Sequence, residues 1–133
     1  MQDANYKMMK TNKQLIGIDL FAGAGGLSLG AEMAGISMRY AVEADAYAAA
    51  SYKRNFKNAT VFCEDIRKLS ADKLNTQPVF IIMGGPPCQG FSLSNTKTRD
   101  MSNPNNRMFE EFLRFVDKIA PTWFVFENVY VLF

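Results

Sequence analysis

Cys88 stands in the stretch IIMGGPPCQGFS, residues 81–92, where an apolar run gives way to two glycines and two prolines just before the thiol. Gly84 and Gly85 permit a sharp exit from an extended segment, and Pro86 and Pro87 fix their own φ. The sulfur is therefore presented with little freedom left to lose on reaching a target. A lone cysteine after a strand is ordinarily a small buried residue. One held in a stiff loop among polar and small neighbours points instead to a nucleophile. The chain has no histidine and only two cysteines, Cys63 and Cys88. That removes a cysteine–histidine hydrolase, a CxxC redox pair and a Cys/His zinc site together, and no metal site is expected. Cys88 must be activated in some other way, or by its substrate. Cys63, inside the apolar run ATVFC, is expected to be a core residue without chemistry.

A second group of residues suits a nucleotide. Gly23, Gly25 and Gly26 in DLFAGAGGLSLG let a backbone approach a ligand closely, ahead of a helix N-terminus whose amides are unpaired. Glu43 lies at the distance beyond Gly23 where an acid commonly meets ribose hydroxyls. The dinucleotide pattern GxGxxG would need glycine at position 28, however, and Ser28 is there. S-adenosylmethionine, an adenosyl ligand without a pyrophosphate, fits this geometry better. Asp65 is placed to accept from an adenine amino group, with Phe21 and Ile66 as apolar contacts. Each residue also has a plainer reading: the glycines as a turn, Glu43 as a solvated strand end, Asp65 as a helix cap.

The elements that must position these residues alternate between strand and helix. Residues 15–20 read as a strand, followed by the glycine bend and a helix over 27–34 that stops at Gly35. SMRYAVEAD reads as a strand ending in Glu43, with Asp45 capping a helix to about Phe56. ATVFCEDIRKL is a third strand closed by Glu64 and Asp65, PVFIIMGG a fourth and TWFVFENV a fifth. Between the last two, Met108, Phe109, Phe112, Leu113, Val116 and Ile119 recur at helical spacing, and Pro121 lies just past the end. Strands that are apolar throughout imply a parallel sheet covered on both faces, a doubly wound α/β fold. Ligands in such folds sit beyond the carboxyl ends of the strands. The glycines, Glu43, Asp65, Cys88 and Glu127 all fall there.

Taken in order, DLFAGAGGLSLG, EAD, EDIRKL, GGPPCQGFS and FENV resemble the cytosine-5 DNA methyltransferases, over almost all of residues 15–129. The resemblance implies a Rossmann-like fold dependent on S-adenosylmethionine, with cofactor contacts from Phe21, Gly23, Gly25, Gly26, Glu43, Asp65, Ile66 and Pro87. It makes Cys88 the nucleophile and Glu127 the residue that contacts the base. Glu127 follows the apolar run 123–126, where desolvation would raise its pKa and favour its proton-carrying form. Asn128 would hold its loop. Carbon 5 of cytosine is too poor a nucleophile to take a methyl group unaided, so a thiolate adds to carbon 6 while an acid steadies the charge building toward nitrogen 3. The target carbon is hidden in a duplex, so the partner is DNA with a flipped cytosine. Gln89 and Ser92 would line the opening, with Lys97, Arg99 and Arg107 available to phosphates; an ordinary solvated loop is the plainer reading of that segment.

Composition sets the remaining bounds. A net charge of +2 is too small for strong non-specific binding of a polyanion, so the grip on DNA must come largely from elsewhere. With 133 residues and no long apolar run, one cytoplasmic catalytic domain is expected, with no membrane contact, behind a flexible tail over 1–14. The sequence ends at VYVLF, soon after the fifth strand, where the family continues into a target-recognition region. The reading is therefore a partial catalytic domain over 15–133 that needs a complementing C-terminal part. An RNA cytosine-5 methyltransferase and a catalytically inactive cofactor-binding fragment remain the alternatives.

Overall fold

The computed structural model describes residues 13–75, 77–87 and 107–128. Five strands, β1 (Ile16–Leu20), β2 (Ser37–Val42), β3 (Thr60–Phe62), β4 (Ile81–Gly84) and β5 (Trp123–Phe126), form one sheet in the order β3-β2-β1-β4-β5, with every pairing parallel. The helices are α1 (Gly26–Met33), α2 (Ala46–Asn55) and α3 (Arg107–Ile119). Two 3-10 turns, Ile66–Lys68 and Ala71–Leu74, stand where a longer helix could have connected β3 to β4. The doubly wound reading holds, and none of the helices among the described residues is long and apolar enough to cross a membrane.

Alternate residues of each strand feed separate cores, which is why the strands read as apolar throughout. Ile18, Leu20, Tyr40, Val42 and Ile82 pack with α3 and the 3-10 turns through Phe112, Phe115, Leu69 and Leu74. On the opposite face Ala41 meets Tyr52 and Phe56 of α2, and Met38, Ile81 and Met83 meet Ala31 of α1. The register lines up the strand ends: Phe62, Val42, Leu20, Gly84 and Phe126 are successive partners across the sheet. The residues that follow them therefore share one rim.

Local boundaries follow their chemistry. Asp45 caps α2 as expected, its side chain accepting from the Ala48 amide at 2.8 Å. β3 is shorter than its apolar pattern suggests, and Cys63 just beyond it is exposed rather than buried, because β3 is an edge strand with partial cover. On α3 the buried positions are Phe112, Phe115 and Ile119; Phe109 and Leu113, expected on the buried face, are exposed. The other edge is β5, where Trp123 and Phe124 remain 62% and 54% exposed. Of the expected tail, residues 1–12 lie outside the described residues, as do Cys88, Gln89, Ser92, Lys97 and Arg99.

Candidate functional site

The rim beyond the strands borders a cleft of about 430 Å³ lined by Phe21, Val42, Glu43, Glu64, Asp65, Ile66, Arg67, Gly85, Pro87 and Met108, among others. A volume of that order accommodates a nucleoside-sized ligand. The cleft gathers five of the expected cofactor residues: Phe21 from the end of β1, Glu43 from β2, Asp65 and Ile66 from the turn after β3, and Pro87 from the exit of β4.

The glycine bend is built to hold Glu43. Phe21 adopts φ 58 and Gly23 φ 56, two left-handed residues in close succession. For phenylalanine that conformation costs about 1 kcal/mol or more, a local strain of the kind concentrated at ligand sites. The bend returns the Gly23 amide to Glu43 Oε2 at 2.7 Å, while Oε1 accepts from the Asp45 amide at 2.7 Å. Both oxygens are fixed, and each keeps acceptor capacity for a ligand hydroxyl. A β-carbon on Gly23 would meet nothing within 4 Å, so there is room above the bend. Gly25 faces the other way: its added β-carbon would collide with the Phe56 ring and lie 3.0 Å from Tyr52 Cδ2. Its lack of a side chain thus serves packing against α2. Gly26 opens α1 and is exposed.

Asp65 combines both of its sequence readings. It caps the first 3-10 turn, accepting from the Arg67 amide at 2.9 Å, and it lines the cleft. The Arg67 guanidinium also grips the carboxylate, through Nε at 2.9 Å to each oxygen and through a terminal nitrogen on Oδ2. These hydrogen bonds hold the Asp65 carboxyl down at about 2. Arg114 of α3 buttresses the same turn, donating to the carbonyls of Ile66 at 2.8 Å and Leu69 at 3.2 Å.

At the far side of the rim, Glu127 lies over Gly85. The Glu127 amide donates to the Gly84 carbonyl at 2.9 Å, and a β-carbon on Gly85 would sit 2.5 Å from Glu127 Oε2. An added methyl there would displace the carboxylate from its present position. Phe126 sets the height of β5 by edge-on contacts with Phe109 and Phe112, ring centroids 5.1 and 5.4 Å apart. Glu127 is itself exposed, as is Asn128, so the burial expected from the apolar run before Glu127 is not found; Trp123, Phe124 and Val125 of that run lie on the edge strand and are exposed too. Beyond β4, Gly85 lies beside the Glu127 carboxylate, and the described chain continues through the buried Pro86 to the exposed Pro87.

Sequence reasoning missed a buried polar group below the bend. Asp19, Ser28 and Tyr52 are fully buried, with the Ser28 hydroxyl 2.6 Å from Asp19 Oδ2 and 2.6 Å from the Tyr52 hydroxyl. The signal was present in IGIDL: an acid inside an apolar, fully buried strand must have a partner. Burial pushes the Asp19 carboxyl up to about 6 from 3.8, against the lowering effect of Ser28, and the Glu43 carboxylate adds to the rise. The folded state thus holds this proton more tightly than the unfolded chain does. Its contribution is favourable below about pH 4, is lost as the pH rises toward 6, and then stays constant. The loss is on the order of 3 kcal/mol. Denaturant titrations between pH 4 and 7 are expected to show this decline in the natural chain and a flatter profile in Asp19→Asn. Parallel profiles would contradict the assignment.

The sequence and the fold are similar to those of known proteins. The family of C-5 cytosine-specific DNA methylases matches residues 15–133. The Type II methyltransferase M.DdeI of Desulfomicrobium norvegicum is 47% identical over 114 residues, which cover 84% of this chain and 27% of that protein. M1.HphI of Haemophilus parahaemolyticus, also a Type II methyltransferase, is 42% identical over 121 residues, 87% of this chain and 32% of its own length. Among solved structures, a DNA modification methyltransferase encoded within an E. coli prophage superposes with a TM-score of 0.76 at 38% identity, covering 89% of this chain and 33% of the other. The chain thus spans about a third or less of the length of these relatives.

Proposed function

Since the chain belongs to the C-5 cytosine-specific DNA methylases, we propose that it carries the cofactor and nucleophile half of an enzyme that methylates carbon 5 of cytosine in DNA. The observation that carries this reading is the shared rim, on which the Glu43–Asp65 cleft and the Gly85–Glu127 contact lie on adjoining strand ends. S-adenosylmethionine fits the cleft: Glu43 faces the ribose hydroxyls, Asp65 the adenine amino group, and Phe21 and Ile66 the apolar faces of the purine. When bound, it supplies an electrophilic methyl group on a sulfonium.

The residues of the chain prepare the pyrimidine. The Cys88 thiolate adds to carbon 6, and the electron pair displaced from the 5,6 double bond moves toward nitrogen 3, where Glu127 donates a hydrogen bond or proton. Carbon 5 thereby becomes nucleophilic. After carbon 5 has been methylated, its proton passes to a solvent base, the freed electron pair re-forms the 5,6 double bond and expels the sulfur as thiolate, and any proton on nitrogen 3 returns to Glu127. Gln89, Ser92 and Asn128 surround the flipped base, whose extrusion costs a few kcal/mol. A C-terminal part, joined to this chain or supplied by a second one, contributes target recognition and most of the DNA contact surface. The Type II relatives support a place beside a restriction system.

The deciding experiment mixes the chain, alone and with the C-terminal region of a relative such as M.DdeI, with S-adenosylmethionine and DNA containing 5-fluorocytosine. A covalent adduct on a denaturing gel is expected in the complemented mixture. Cofactor binding without an adduct would leave a cofactor-binding module, and an adduct on RNA alone would redirect the substrate.

Arg67 bears on the cofactor directly. Its guanidinium occupies both Asp65 oxygens, so an adenine amino group must compete with it for the acceptor. The pair is exposed, so solvent and salt screen it. Arg67→Ala is therefore expected to tighten S-adenosylmethionine by up to about fivefold at low salt, with the advantage vanishing at high salt, as read by calorimetric titration. Weaker binding at both salt concentrations would show that the guanidinium helps hold the ligand.

A further inference from the structure

The glycine bend rests on a buried polar chain that the proposed reaction does not use. Asp19 lies near the end of β1, on the sheet face covered by α1 and α2. Its Oδ2 accepts from the Ser28 hydroxyl of α1, whose oxygen in turn lies 2.6 Å from the Tyr52 hydroxyl of α2. With Asp19 ionised, the Ser28 proton goes to the carboxylate, and since each hydroxyl has one proton, Tyr52 donates to Ser28. Tyr52, Ser28 and Asp19 thus form a one-way chain linking α2, α1 and β1.

Stability alone does not account for this arrangement. Asp19 Oδ1 is buried and has no hydrogen-bond partner among the described residues, an expense that an apolar trio of similar volume would avoid. Position explains it better. The ring bearing the Tyr52 hydroxyl is stacked on Phe56, with centroids 4.5 Å apart, and the two rings form the floor beneath Gly25. The Gly25 amide donates to the Ala22 carbonyl at 3.0 Å, and the Gly25 carbonyl accepts from Leu29 at 2.9 Å in the first turn of α1. Gly23, between them, directs its amide to Glu43. At the position where the dinucleotide pattern would have glycine, the Ser28 hydroxyl ties the first turn of α1 to β1 and α2.

We propose that Asp19, Ser28 and Tyr52 are positioning residues for the cofactor end of the cleft, holding the Gly23–Gly25 bend so that Glu43 faces the ribose. This rests on reading the cleft as the S-adenosylmethionine site. Tyr52→Phe keeps the ring and removes one link, whereas Ser28→Ala removes both. The full chain and each variant are titrated with S-adenosylmethionine, with amide hydrogen exchange at Gly23 and Tm followed in parallel. Tyr52→Phe is expected to raise Kd about threefold to tenfold and to speed Gly23 exchange, and Ser28→Ala to do both more strongly. Leu74→Ala, in the core on the opposite face of the sheet, serves as the control: it lowers Tm but leaves Kd and Gly23 exchange at their natural values. The proposal is overturned if both variants match the natural chain in these two readouts, or if Leu74→Ala moves them as far as Ser28→Ala does. If the natural chain binds no S-adenosylmethionine, the cofactor reading fails, and the Gly23 exchange rates decide the positioning role by themselves.

Discussion

Cys88→Ala is expected to leave no trapped adduct on 5-fluorocytosine DNA and to lower methyl transfer by about a thousandfold or more in the complemented enzyme. The size of the effect follows from the chemistry: without a bond from sulfur to carbon 6, carbon 5 has no electron density to offer a methyl group. The described lining of the cleft comes from other residues, so S-adenosylmethionine affinity should stay within about twofold of the natural chain, since an uninvolved side chain changes little. Denaturing gels and tritium transfer read the first effect, and calorimetry the second. An adduct that survives the substitution would remove Cys88 from the reaction.

Glu127→Gln should have the next largest effect, lowering turnover by about a hundredfold to ten-thousandfold, the usual range for a lost proton donor. Glutamine keeps the shape and one hydrogen bond but cannot deliver a proton to nitrogen 3. Cofactor affinity should again hold, separating the base side of the rim from the adenosine side. Gly85→Ala tests the same carboxylate from beneath, because the added methyl would fall on the space Glu127 occupies. Turnover in Gly85→Ala should fall with that in Glu127→Gln, and combining the two should cost less than the product of their separate effects. Independent, multiplying losses would mean that Gly85 acts through something other than Glu127.

Much of this architecture was legible in the residues because it depends on short-range rules. The Asp45 cap, the glycine bend and the continuous apolar strands are each decided within a few positions, and parallel pairing then places the residues after Val42, Leu20, Gly84 and Phe126 on a common rim. The unread features are all long-range or depend on neighbours. Ser28 meets Tyr52 across 24 positions, and Arg114 reaches the Ile66 carbonyl across 48. Periodicity assigned Phe109 and Leu113 to the core in place of Phe115, because helical spacing defines a face but not which edge of it the sheet covers. Cys63 was misjudged for a related reason: an apolar run predicts burial only if the strand lies inside the sheet, and β3 lies at its edge. The same holds for Glu127 on β5.

The central place of β1 has a consequence for how the polypeptide emerges from the ribosome. The segment from β1 through β3 is made before the rest of the sheet and is a contiguous three-stranded part of it with α1 and α2 on one side, whereas β4 and β5 must add to its open flank later. At translation speeds of about 5–20 residues per second, the delay between β3 and β5 is several seconds, ample for the early half to begin compacting. Phe21, Glu43, Asp65 and Ile66 are therefore made first, and the cleft gains its opposite wall only when Gly85, Pro87 and Met108 follow.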